Sequence, residues 1–143
     1  MALRQGEIYW IADCPPLHGS MAAPHAVIIL NPAPELKDAQ HPLNVVVVSS
    51  SVVNPGTTHI PMPNKQTHDP CSTCFTKPCW AVTEWILQIN DRAKLASRCG
   101  YIGGRTLRSV LAAYLGAIAS GRLPIAHPPA AGSIKRRKAG EQK

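Results

Sequence analysis

Two short runs, "HAVIIL" (residues 25–30) and "LNVVVVSSSV" (43–52), limit the possible fold more than any other feature. Each is dense in β-branched residues, is bounded by Pro, Asn or Ser, and is too short for a core helix. Neither alternates with polar residues, so both read as strands buried on two faces at a barrel or sandwich core. The connection between them, "NPAPELKDAQHP", is polar and proline-rich.

Three further segments join these strands. "GEIYWIAD" (6–13) is rich in β-formers and runs into "CPPLHGSMAAP", whose prolines and glycine suit an open loop. "TTHIPMP" (57–63) and "CWAVTEWILQIN" (79–90) read as two more strands, the latter alternating through Trp80, Val82, Glu84 and Ile86. Five strands in about ninety residues suggest a small barrel.

The period then changes. In "RTLRSVLAAYLGAI" (105–118), Leu107, Val110, Leu111, Tyr114, Leu115 and Ile118 fall on one helical stripe, giving an amphipathic closing helix. From Gly121 the Pro and Gly density ends it. The chain therefore reads as one domain over residues 1–120, with a cysteine-containing insert at 65–80 and a disordered basic tail at 121–143.

The net charge of +7 is uneven, because "SIKRRKAGEQK" (133–143) contributes +4 of it. The mildly basic body permits RNA, DNA or acidic partners without requiring them. No stretch approaches the length of a membrane span and the N-terminus lacks a signal-peptide layout, so a soluble cytoplasmic protein is expected. Five cysteines, an odd number, suit reduced thiols or a metal site better than a disulfide framework.

In "HDPCSTCFTKPC", His68, Cys71, Cys74 and Cys79 follow H-x2-C-x2-C-x4-C. That spacing fits a structural zinc with Asp69 behind His68, and it equally fits free thiols or a redox pair. Cys14 and Cys99 lie far off in sequence and are expected as small core residues.

Two blocks, "QGEIYWIADCPPLHGSMAAPHAVIILNP" (5–32) and "TEWILQINDRAKLASRCGYIGGRTLRSVLAAYLGAI" (within about 82–118), resemble the MazF/PemK (Kid-like) family of toxin endoribonucleases from toxin–antitoxin modules. The first resembles that family's Gly-acid-aliphatic start, aromatic strand, Asp-Pro, loop, Arg-Pro and apolar strand. The second is similar to its later strand and closing helix, with Gln88-Ile89-Asn90-Asp91 at the centre.

The resemblance implies an SH3-like small β-barrel with a C-terminal amphipathic helix, in a mainly β chain. It also implies a homodimer, a cognate antitoxin, and metal-free cleavage of single-stranded RNA by ribose 2′-hydroxyl attack. That chemistry needs a proton acceptor, a proton donor and groups that stabilise the phosphorane charge. Laid without gaps from "GEIYW", the family arginine falls on His25. An imidazole can give and take protons at neutral pH but lacks a guanidinium's bidentate grip on phosphate.

Ser50 falls near the family's catalytic hydroxyl and Glu84 at its acidic position, so the implied catalytic set is His25, Ser50 and Glu84. His18, Ser20, Ser49 and Ser51 are implied RNA contacts. Ala26 stands for the usual Pro, Ser20-Met21 for a Glu-Gln pair, and Trp85 for a Gln. These departures keep a second expectation open: a barrel that binds nucleic acid or a protein without cutting.

Overall fold

A computed structural model of the chain describes residues 2–18, 21–52, 54–63 and 71–127. The chain runs β1 (Glu7–Cys14), β2 (Ala23–Ile29), α1 (Ala33–Lys37), β3 (Leu43–Ser49), β4 (His59–Pro61), β5 (Ser72–Thr73) and β6 (Trp80–Ile89). A 3-10 turn (Arg92–Lys94), β7 (Arg98–Tyr101), α2 (Gly104–Ala119) and β8 (Ile125–His127) complete it. The strands form one curled sheet in the order β4-β6-β3-β2-β1-β7-β5, and β8 adds to β6 in parallel. The mainly β small-barrel architecture with one long helix is the expected one.

The apolar runs are continuous because the sheet is covered on both faces. Ala26 and Ile28 of β2, with Val46 and Val48 of β3, point into a core shared with α2, while Val27, Ile29, Val45 and Val47 point into a second core. That second core is closed by Leu36 of α1 with Leu3, Leu95 and Ile125. A polar substitution at Val46 or Val47 would bury an unpartnered group on either side.

The helix stripe is narrower than its sequence suggests. Leu107, Val110, Leu111, Tyr114 and Ala117 pack on the sheet, whereas Leu115 is 61% exposed and Ile118 39% exposed. The helix ends in a Schellman arrangement: Gly121 at φ +94 lets Arg122 N–H reach the Ala117 carbonyl (3.0 Å) and Gly121 N–H reach that of Ile118 (3.0 Å). Beyond it, residues 125–127, expected in a disordered tail, form β8 instead. Among the described residues, no helix is long and apolar enough to cross a membrane.

Three sequence expectations are corrected here. The structure adds the short strands β5, β7 and β8 to the five expected. Cys74 and Cys99, 25 positions apart, are joined in a disulfide, so the Cys74 thiolate is not available to a zinc ion and Cys99 is not a free core thiol. Among the described residues no group of His, Cys, Asp and Glu is arranged to hold a metal, and His68 lies outside them.

The remaining thiols have other roles: Cys71 Sγ donates to the Gly103 carbonyl, and Cys14 and Cys79 are buried. Burial, then the Asp13 charge, pushes the Cys14 thiol up to about 12. An unfolded thiol ionises near 9 while this one stays protonated, so its contribution lowers stability progressively as pH rises from 9 toward 12. Thiol titration of the non-reduced protein in denaturant should therefore count three reactive cysteines, and five after reduction. A count of five without reduction would remove the disulfide.

Candidate nucleic-acid groove

The antiparallel β2 carries His25 opposite Ile11 of β1, at the end of the strand where the preceding loop enters. Its Nδ1 lies 3.2 Å from the Val48 carbonyl oxygen, which can only accept, so Nδ1 carries the proton and Nε2 presents a lone pair. The ring meets Trp85 edge-on at 4.9 Å between centroids. Trp85 is held in turn by Nε1–H donating to the Pro15 carbonyl at 3.0 Å.

Two clefts meet at this aromatic pair. One, of about 380 Å³, is lined by Trp10, His25, Ser50, Ser51, Thr76 and Lys77, with Cys74, Phe75 and Cys79 behind them. The other, of about 360 Å³, is lined by His18, Ser49, Ser51, Asn54, His59 and Trp85. Ser51 belongs to both, so together they make one groove across the ends of β2, β3 and β6.

Ser49 is buried, and its hydroxyl accepts from Ser51 N–H at 3.1 Å, which orients the serine turn. His59 Nδ1 accepts from Gly56 N–H at 2.8 Å, so its Nε2 bears the proton, the tautomer opposite to that of His25. Burial pushes the Cys79 thiol up, against a smaller lowering by Lys77, which keeps it protonated at neutral pH. Among the described residues no carboxylate lines either cleft, whereas Lys77 and three histidines do. Two indoles, hydroxyls, imidazoles and one lysine, without opposing acids among the described residues, suit stacked bases and phosphates.

The structure thus brings together His25, Ser50, Ser51, Ser49 and His18. It does not bring Glu84 to them, and Ser20 lies outside the described residues. The cause is a bulge: β3 Val46 pairs with Ile86 and Val47 with Val82, so Thr83, Glu84 and Trp85 have no partners on β3. Thr83 N–H is tied to the Thr58 carbonyl at 2.8 Å, and the next two residues, Glu84 and Trp85, line different hollows. Trp85 enters the groove, while Glu84 lines a separate hollow beside Ala117 and pairs with Arg122 at 3.2 Å.

Lys77, Trp10 and His59 were missed as site residues. Trp10 is visible only as an aromatic in a strand, and Lys77 enters because residues 74–77 and 79 line the same cleft as residues 23–26.

Comparison with solved structures decides the fold. Mycobacterium tuberculosis toxin MazF-mt6 matches with a TM-score of 0.57 over 79% of this chain and 96% of that one, at 16% sequence identity. The chain has a MazF-like fold. No protein-family model matches the sequence, and no curated protein sequence matches it either. The groove of this MazF-like fold differs from the expected set: Glu84 lies elsewhere, and Trp10, His59 and Lys77 line it in addition.

Proposed function

We propose that this chain is a toxin-like endoribonuclease that cuts single-stranded RNA without metal, by attack of the ribose 2′-hydroxyl on the adjacent phosphate. The observation that carries the reading is the placement of His25: its Nδ1 lies 3.2 Å from the Val48 carbonyl, its ring meets Trp85 edge-on, and it lines a cleft with Trp10, Ser50, Ser51 and Lys77.

In this reading His25 Nε2 accepts the 2′ proton. Ser50 and Ser51 hydroxyls donate to the phosphate, and the 5′ oxygen leaves with a proton from a groove donor such as His59 Nε2–H. Trp85 and Trp10 offer faces for the flanking bases. The products are a 2′,3′-cyclic phosphate and a 5′-hydroxyl, and Glu84 takes no part. The same reading includes a homodimer, a cognate antitoxin and a cytoplasmic site of action.

The test is incubation with a long single-stranded RNA in EDTA beside its 2′-O-methyl counterpart, with the fragment ends read by mass. Cutting of the first alone, with cyclic phosphate ends, is the expected result. Cutting that requires added metal, or that persists on the 2′-O-methyl strand, would overturn the reading. A second reading, a barrel that binds nucleic acid without cutting, is favoured by one observation: no guanidinium lines the groove among the described residues. Salt-sensitive binding with no cleavage would select it.

A further inference from the structure

We propose that residues 71–79 form a phosphate-binding wall of this groove, with Lys77 as the cation that contacts the RNA backbone and the Cys74–Cys99 disulfide as the tie that holds it there. The proposal rests on the RNA reading above and adds the source of its positive charge.

Lys77 lines the same cleft as His25, Ser50 and Ser51, is exposed, and makes no ion pair among the described residues. Three guanidiniums near the sheet are engaged elsewhere. Arg92 donates to the carbonyls of Leu36, Glu35, Asp38 and His41; Arg98 pairs with Glu7 at 2.8 Å; Arg122 pairs with Glu84. Lys77 is thus the one Lys or Arg among the described residues that lines the groove. Among the described residues no carboxylate lines the cleft beside it, which leaves its charge open to a polyanion.

The wall is anchored at its two ends, by Cys71 in the core and by Cys79, which is buried, accepts from Met62 N–H at 2.9 Å through its carbonyl and leads directly into β6, with Phe75 packed in the core between them. β5 has two residues and pairs with β7 only through Ser72–Tyr101 and Thr73–Gly100. The approach is close enough that a Cβ on Gly100, at φ +142, would collide with the Ser72 carbonyl. Thr73 Oγ1 donates to the Pro63 carbonyl at 2.7 Å, and Cys71 bonds to Gly103. Cys74 follows directly, with its Cα 5.2 Å from that of Cys99, and lies on the cleft wall itself. The covalent bond adds a fixed point at Cys74, three residues before Lys77, in the exposed stretch 76–78 between the buried Phe75 and Cys79.

The experiment measures the affinity of a 2′-O-methylated single-stranded RNA against salt, alongside cleavage of the unmodified strand. The proteins are the parent, Lys77→Ala, Lys77→Arg, Cys74→Ser/Cys99→Ser, and the triple variant. Lys77→Ala should weaken binding about 10-fold and lower the salt slope by about 0.7, the loss of one single-strand phosphate contact, and Lys77→Arg should restore both. The untied protein should bind like Lys77→Ala, and adding Lys77→Ala to it should change little, a coupling that general destabilisation would not produce.

Reduction of the parent by dithiothreitol, which yields two thiols and the cyclic oxidised dithiol, should reproduce the untied result if the double variant folds poorly. A parent that binds and cuts, with Lys77→Ala unchanged in affinity and slope, overturns the proposal and leaves the nuclease reading standing. Additive losses from Lys77→Ala and from untying would retain the lysine and overturn the tie. A parent that neither binds nor cuts overturns both readings.

Discussion

Replacing His25 by alanine should lower kcat/KM for single-stranded RNA by about 10²- to 10⁴-fold, the usual worth of a positioned proton-transfer group. The fold should survive, because the lost contacts are one hydrogen bond to the Val48 carbonyl and one edge contact with Trp85, together about 1–3 kcal/mol. His25→Gln separates the two roles, since an amide can still donate to that carbonyl but cannot take a proton at neutral pH. It should restore stability and leave cleavage lost. Glu84→Gln provides the contrast: its pair with Arg122 is one-third to two-fifths exposed, so its removal should cost at most about 1 kcal/mol and leave the rate unchanged. A large rate loss in Glu84→Gln with normal activity in His25→Ala would reverse the assignment.

The second large effect is on stability. The Cys74–Cys99 bond closes a loop of 25 positions, and the entropy lost from the unfolded chain makes such a closure worth about 3.5 kcal/mol. In a chain of this size, Cys74→Ser/Cys99→Ser should lower Tm by about 10 °C, read by circular dichroism without reductant. The helix and the β1–β2–β3 core do not depend on this bond, so the variant should still unfold cooperatively. An unchanged Tm would mean that residues 71–79 are held by their strand and hydrogen bonds alone.

What could be read in advance follows from the physics of each element. β2 and β3 were visible because burial on both faces leaves uninterrupted apolar runs, β6 because of its alternation through Trp80, Val82, Glu84 and Ile86, and α2 because its period switches to 3.6. β5, β7 and β8 have two to four residues each and exist because partners supply the pairing, which no local pattern records. Glu84 was misplaced because simple alternation along β6 ignores the bulge that gives three residues no partner on β3. The disulfide was missed because the Cys-x2-Cys spacing drew attention to local partners, while Cys99 lies beside the insert only through the β5–β7 pairing. Leu115 and Ile118 fit the helix period, but the core contacts of the helix run through Leu107, Val110, Leu111, Tyr114 and Ala117 and leave them exposed.

The most direct test of the account is where RNA lies on this surface. The His25→Ala protein, bound to a single-stranded RNA containing 4-thiouridine, is irradiated, digested and analysed for crosslinked peptides. The account predicts crosslinks at Trp85, Trp10 and the serine turn at 49–51, with Lys77→Ala reducing their yield. Crosslinks confined to the hollow around Arg4, Arg98 and Tyr101, or to the Glu84–Arg122 hollow beside α2, would contradict it.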